Sequence, residues 1–315
     1  MNKFTNQTKK LIFLVLVFVF WNNNWIISKA RFQPNTLLWE VSLKSNPSKK
    51  AYLLGSIHIG IPELYPLHDD IMKCWDKSDV LAVELNILDM DLSTLLSDTN
   101  LLLKLISFTD FLSDKLPNNI YEKIKKQLTE MELAPEIVDR LTPLGAALML
   151  EFGNLAKAFV DTNYRYQITD GIDLFFLKLA KQNDKKIVEL ESIEKQISVF
   201  EALNENIVSY LETILNKIDS DNGMDIYILF DAWKRGNINF FEKINTDDFL
   251  ENSESNNKLR NIMLYNRNEE MASLIEKFIQ SGTMHFVVIG TGHLVGNKSI
   301  IDILTKTKKY NIKRF

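Results

Sequence analysis

Four side chains in this sequence have the types needed to activate water together: His58, Glu84, Glu191 and His293. Histidine is scarce, limited to His58, His68, His285 and His293, and two of the four close the same pattern, an apolar run ending in Gly-x-x-His. Ala51-Tyr-Leu-Leu-Gly-Ser-Ile-His58 is one instance, and Phe286-Val-Val-Ile-Gly-Thr-Gly-His293 is the other, 235 positions later. Runs that are apolar on both faces read as strands buried inside a sheet. Gly290 and Gly292 are expected to turn the backbone and aim His293 over the carboxyl end of its strand. If the two strands lie close in one parallel sheet, the imidazoles meet where open α/β sheets place their ligands. Two imidazoles and one or two carboxylates, with a position left open, suit a divalent cation that activates water. Glu84 suits a ligand or a general base, and Glu191 offers the other role. The sequence carries no closely spaced two-histidine helix, nucleophile elbow, phosphate loop or dinucleotide fingerprint.

The elements that must hold these groups can be read in order. Segments 36–42 and 51–57 form a hairpin around the turn residues Asn46-Pro47-Ser48. An amphipathic helix over 69–77 leads to a strand over 80–85, which carries Glu84 near its end. Strand, helix and strand make a βαβ unit that puts Glu84 and His58 at one carboxyl edge. From 91 to about 165 the leucine-rich periodicity, broken at Pro117, Pro135 and Pro143, predicts a helical insertion that caps or walls the site. Thr169-Asp170-Gly171 starts a helix over 172–182, and 186–191 is a strand with Glu189 and Glu191 on one face. Helices follow over 192–218 and 224–243, the second weakened at Gly236, and a polar loop over 253–257 precedes a helix over 259–280. That helix carries Arg267 and Asn268 in its middle. After the second Gly-x-x-His come a helix over 298–308 and a terminal strand over 311–315. The expected fold is α/β, a central mixed sheet from two related α/β halves with a large helical insertion.

Residues 1–30 have the layout of a secretory signal: Lys3, Lys9 and Lys10, then an apolar core over 11–21, then small residues around Ser28-Lys29-Ala30. That core is shorter than the ~20 residues needed to span a bilayer. A cleaved chain would be periplasmic or secreted, and an uncleaved one would stay at the membrane. Losing the four lysines of this segment takes the formal net charge from −4 to −8, which argues against nucleic acid as the partner. Cys74 stands alone and reads as a buried, inert thiol. Glu189 is expected to be a salt-bridged neighbour of Glu191, and Asp173 either caps its helix, the favoured reading, or reaches the site. His68 should be exposed at a helix start and His285 structural, while Tyr164 and Tyr166 are distant candidates for touching substrate.

The order Leu38-Trp-Glu-Val41, Tyr52-Leu-Leu-Gly-Ser-Ile-His58, Pro66-Leu67, Ser78-Asp79 and Val83-Glu-Leu85 resembles the TraB/GumN family, whose animal relatives are the Tiki proteases. The likeness continues through Gly171-Ile-Asp173, Leu190-Glu-Ser192 with Gln196, Arg267-Asn-Glu-Glu-Met-Ala272 and Val288-Ile-Gly-Thr-Gly-His-Leu-Val-Gly296. It spans nearly all of the chain after the signal, although 91–165 matches only in its helical character. Ser192 stands where many members carry threonine, which keeps the hydroxyl. The resemblance implies a metal-dependent hydrolase, foremost a protease acting on a peptide or protein. In it His58 and His293 hold a divalent cation, manganese or cobalt ahead of zinc, with Glu84 as a further ligand. By the same likeness Glu84, Glu191, Arg267 and Asn268 line the site. The glutamates would bind metal or take a proton from water, and Arg267 and Asn268 would hold a developing oxyanion or a substrate carboxylate. Distant relatives act as esterases or bind haem, so two other readings stay open. One is a hydrolase of non-peptide esters, and the other is a non-catalytic protein that holds a peptide or small ligand in the same cleft.

Overall fold

The two apolar runs that end in Gly-x-x-His become adjacent parallel strands in the middle of one sheet. The computed structural model describes residues 35–89, 103–160, 169–219, 226–247, 257–258 and 260–315. The expected secretory signal, the start of the expected insertion, most of the 253–257 loop, Tyr164 and Tyr166 lie outside the described residues. The strands are β1 (Leu38–Leu43), β2 (Asn46–Ser56), β3 (Ile59–Gly60), β4 (Val80–Val83), β5 (Thr169–Asp170), β6 (Lys186–Glu189), β7 (His285–Gly290) and β8 (Tyr310–Arg314). The main sheet runs β6-β4-β7-β2-β1-β8, and β3 pairs with β5 in a separate two-stranded ribbon. β6, β4, β7 and β2 are parallel, while β1 and β8 add on antiparallel, so the sheet is mixed, with an α/β core.

The strand order departs from a simple βαβ reading in one respect. β7, nearly the last strand in sequence, inserts between β2 and β4. Its side chains from His285 to Ile289 are all buried, which suits a strand with neighbours on both edges and layers on both faces. On one face Phe286 packs against Trp75 of α1 (Asp69–Asp76) and, further along, Phe176, with ring centroids 5.6 and 4.8 Å away. Phe176 belongs to α4 (Ile172–Gln182), which follows α2 (Asn118–Glu130) and α3 (Pro143–Val160) in the chain. The alternation of a strand turns His285 to the other face. There its ring stacks on Phe278 of a later helix that also buries Met271, Ala272, Ile275 and Ile279.

Helices α5 (Ile193–Leu203), α6 (Ile207–Asp219), α7 (Ile226–Lys234) and α8 (Ile238–Asp247) come between β6 and that later helix, α9 (Asn266–Ser281). The break between α7 and α8 falls at Gly236, whose φ of +59° only glycine adopts without strain. A second hydrophobic core lies apart from the sheet and joins Leu112, Ile124, Leu128 and Leu150 to Leu211, Ile214 and Leu215 of α6. The helical region is therefore completed by residues far beyond the predicted insertion. Among the described residues no helix is long and apolar enough to cross a membrane. Cys74 is buried and free, as expected.

The His285 ring stacks on Phe278 at 4.3 Å with planes 5° from parallel, and its Nδ1 lies 2.9 Å from the Thr283 carbonyl. Burial pushes its pKa below the ordinary 6.5, against the pull of that carbonyl. The unfolded chain then binds a proton that the folded chain refuses. This contribution to stability is complete above pH 6.5 and fades as the pH falls below it. Replacement of the ring in His285→Gln should flatten the loss of stability as the pH falls below 6.5, read from urea melts at stepped pH.

Candidate active site

The ladder between β2 and β7 closes at Ser56↔Gly290, and both histidines follow within three residues of that pair. Gly290 is the point on which the surrounding side chains converge. A Cβ built there would lie 3.2 Å from Glu84 Oε1, 3.6 Å from His293 Cδ2 and 3.8 Å from His58 Nε2. Its φ of −47° and ψ of 132° are open to any residue, so the expected reason for this glycine needs correction. Gly290 is required for room rather than for an unusual turn. The same holds at Gly292, where a Cβ would meet Asn245 Oδ1 at 3.0 Å, and at Gly55, where it would meet Thr291 Oγ1 at 2.8 Å. The backbone then enters a short helix, α10 (Thr291–Leu294), which buries His293.

Glu84 and Glu191 stand just beyond the ends of β4 and β6, and the strand pairing continues past those ends. Leu190 N donates to the Val83 carbonyl at 2.8 Å, and Glu191 N to the Glu84 carbonyl at 3.0 Å. The strand ends at Glu189, so the two-residue alternation expected to carry Glu191 does not reach it. Arg267 bridges the two carboxylates. Its Nε donates to Glu191 Oε1 at 2.8 Å, and its Nη2 to Glu191 Oε2 at 2.6 Å and to Glu84 Oε2 at 2.8 Å. The second oxygen of Glu84 accepts the Gly290 amide at 2.6 Å. Side-chain exposure is only 12% for Arg267, 12% for Glu84 and 3% for Glu191, so the pairing takes place away from bulk water.

Arg267 sits inside a helical path that runs without a break from 260 to 281, as the periodicity suggests, just after a change of winding. A π-helical turn over Asn261–Tyr265 precedes it, and its Nη1 donates to the Met263 carbonyl within that turn at 3.1 Å. Burial pushes the Glu84 carboxyl up, but His293, His58, Arg267 and the Gly290 amide outweigh it and hold the group at about 2. For Arg267, burial works against the charge, and Glu191 and Glu84 overcome it.

The two imidazoles are held by different partners. His293 Nδ1 lies 2.6 Å from Asn268 Oδ1, and Asn268 Nδ2 donates to the Lys298 carbonyl at 2.8 Å. A carbonyl can only accept, so the amide orientation is fixed and His293 carries its proton on Nδ1. Burial pushes the His293 pKa down to about 4, leaving a neutral ring whose Nε2 lies 3.9 Å from Glu84 Oε2. Lys298 turns its carbonyl toward Asn268 from a left-handed backbone, φ +56°. His58 Nδ1 lies 3.3 Å from Asp173 Oδ1, and this carboxylate draws the ring pKa upward from 6.5. The His58 side chain is 67% exposed, so solvent screens that attraction.

The structure thus brings His58, His293, Glu84, Glu191, Arg267 and Asn268 into one cluster, but several expected roles change. Both ends of the Asn268 amide are committed, so it orients His293 and is not free to hold an oxyanion. Asp173 makes no capping bond in α4 and reaches His58 instead. Glu189 accepts the Asn86 amide at 2.6 Å rather than pairing with a cation. His68 is half-buried, and its Nδ1 accepts the Asp70 amide at the start of α1. The Gly290 amide and the Lys298 carbonyl were not legible, because a main-chain group leaves no mark on residue type.

Fold and cluster define an α/β protein whose sheet edge gathers two imidazoles, two carboxylates and a guanidinium. The chain belongs to the TraB/PrgY/gumN family, whose model matches residues 37–314. It is similar to Metalloprotease TIKI2 of Danio rerio, with 22% identity over 312 residues that cover 86% of this chain and 59% of that one. It is also similar to Metalloprotease TIKI1 of Xenopus tropicalis, with 21% identity over 328 residues that cover 90% of this chain and 62% of that one. With Uncharacterized protein YbaP of Escherichia coli (strain K12) it shares 26% identity over 189 residues, 59% of this chain and 65% of the relative. The chain therefore spans about three fifths of the length of the two metalloproteases. No solved structure matches it.

Removing the guanidinium in Arg267→Met should lower stability by ~3–5 kcal/mol, because two buried carboxylates lose their counter-charge. Adding Glu191→Leu should restore part of the loss, since a buried charge left alone is worse than none. Chemical denaturation of wild type, single and double variants checks both, and a double variant weaker than the single would contradict the account.

Proposed function

We propose that this chain is an exported metal-dependent hydrolase acting on peptide bonds, with a divalent cation held by Nε2 of His58, Nε2 of His293 and the Glu84 carboxylate. The observation that carries this reading is the presentation of the two rings. Each has Nδ1 beside an oxygen acceptor, Asp173 or Asn268, and Nε2 turned toward the space beside Gly290 and Glu84. Ligand histidines in proteins are oriented by such acceptors, and neutral imidazole with carboxylate suits manganese, cobalt or zinc. Among the described residues no three His, Cys, Asp or Glu side chains already stand together in metal-holding geometry. The donor types fit, while Arg267 occupies the carboxylate oxygens. Similarity to proteins named metalloproteases supports the class, and the signal-like segment 1–30 supports export.

A cation in this position supplies the charge that acidifies water and polarises a carbonyl. The chain's own residues have separate tasks. Glu84 is ionised at neutral pH, and its Oε2, the oxygen nearest His293, serves either as a ligand to the cation or as the acceptor of the water proton. Glu191 fixes the Arg267 fork from below through two bonds, and Arg267 can then face negative charge that develops on the substrate carbonyl. Asn268 keeps His293 in a single tautomer. Ionised Glu84 and neutral His293 coexist because Arg267 and the Gly290 amide face the carboxylate, whereas burial works against a charge on the ring.

Elemental analysis of the purified chain after exposure to manganese, cobalt or zinc should find near-stoichiometric metal, lost in His58→Ala and His293→Ala. Glu84→Gln should lower the hydrolysis of a fluorogenic peptide library by ~10²-fold or more while leaving the fold intact. Metal-free wild type under every condition, with the three proteins equally folded, overturns the proposal and leaves a binding protein.

A further inference from the structure

The N-terminus of α4 is fastened to the backbone on both sides of His58. Ile172 N donates to the Ile57 carbonyl at 3.0 Å before the histidine, and Ile59↔Asp170 and Gly60↔Thr169 pair after it. Gly171 makes this approach feasible, because a Cβ there would stand 2.2 Å from both the carbonyl carbon and the carbonyl oxygen of His58. The register that results delivers Asp173 to the imidazole, with Oδ1 at 3.3 Å from Nδ1. That oxygen is buried and has no hydrogen-bond partner, and Asp173 takes no part in capping its own helix. Among the described residues His58 is the ion-pair partner of Asp173. A buried carboxylate oxygen left unpaired is costly, so a fold that places it beside a ring nitrogen is using that nitrogen as its donor.

We infer that Asp173 is a positioning residue for His58: its carboxylate accepts the Nδ1 proton and leaves Nε2 as the free nitrogen, facing Glu84 and His293 across Gly290. Asn268 does the same for His293 through Oδ1. The two rings thus present the same nitrogen, one behind a carboxylate and one behind a carboxamide. A charged acceptor raises the donor strength of the far nitrogen more than a neutral one, which makes His58 the stronger ligand of the pair. The use of that nitrogen rests on the metal-site reading above, whereas the orientation of the ring does not.

The experiment separates the two. In the full chain labelled with ¹⁵N in its histidines, His58, His68, His285 and His293 are the only rings to read by long-range proton–nitrogen spectra. Spectra are recorded in alkaline solution. His68 supplies the reference for the opposite form, since its Nδ1 accepts the Asp70 amide. Wild-type His58 should carry its proton on Nδ1, lose that preference in Asp173→Ala, and keep it in Asp173→Asn, whose amide oxygen still accepts. Unmoved His285 and His293 signals show that the variants fold. Cobalt titrated into the same samples and followed by its visible spectrum should bind ~10–100-fold more weakly to Asp173→Ala, with Asp173→Asn between the two. A wild-type His58 protonated on Nε2 alone overturns the inference without any variant, as does an unchanged tautomer in folded Asp173→Ala. A shifted tautomer in a chain that takes no cobalt keeps the positioning role and overturns the metal reading instead.

Discussion

One guanidinium between two buried carboxylates is the constraint on which the rest of the cluster depends. Glu84 and Glu191 arrive from neighbouring parallel strands and lie side by side where the ladder runs out, 12% and 3% exposed. Two anions so placed repel each other and have little water to relieve them. Arg267 answers both at once, which only a planar fork of donors can do in this geometry. It also reaches back into the π-helical turn of its own helix, where its Nη1 donates to the Met263 carbonyl. The same helix packs Met271, Ala272, Ile275 and Ile279 against the sheet, so the charge arrangement and the hydrophobic core share one element.

Charge is distributed around that centre by environment rather than by residue type. Two histidines from similar motifs are driven in opposite directions, His58 upward by Asp173 and His293 downward by burial. Glycine serves the arrangement by absence. Gly290 leaves the room in which Glu84, His58 and His293 meet, and Gly171 lets α4 lie against the His58 carbonyl. The helical region contributes a core of its own, joined from both sides of β6, and leaves the sheet edge to the four strand ends.

Much of the site was legible because its residues sit at breaks in strong patterns. His58 and His293 end apolar runs, Glu84 interrupts another, and each break marks a strand terminus. Asn268 is legible beside Arg267, but an amide that orients a ring and an amide that stabilises charge look alike in sequence. Position in a first turn likewise leaves Asp173 between its own helix and the site, and only the packing of α4 against the backbone around His58 brings it to the imidazole. Periodicity carries the helix through Asn261–Tyr265 correctly, but not the π-helical winding there, which leaves the residue types unchanged.

Local patterning alone determined the strands of the main sheet, most helices, the break at Gly236 and the carboxyl ends where polar groups emerge, because these follow from periodicity and backbone preference within a few residues, but it missed the β3–β5 ribbon, whose second strand reads as a helix start. Only the tertiary structure decided that β7 lies between β2 and β4, that Glu84 and Glu191 share one cation, and that each imidazole has its own acceptor. Those choices depend on contacts between residues as much as 235 positions apart, and they are settled by which buried charges and donors find each other when the sheet closes.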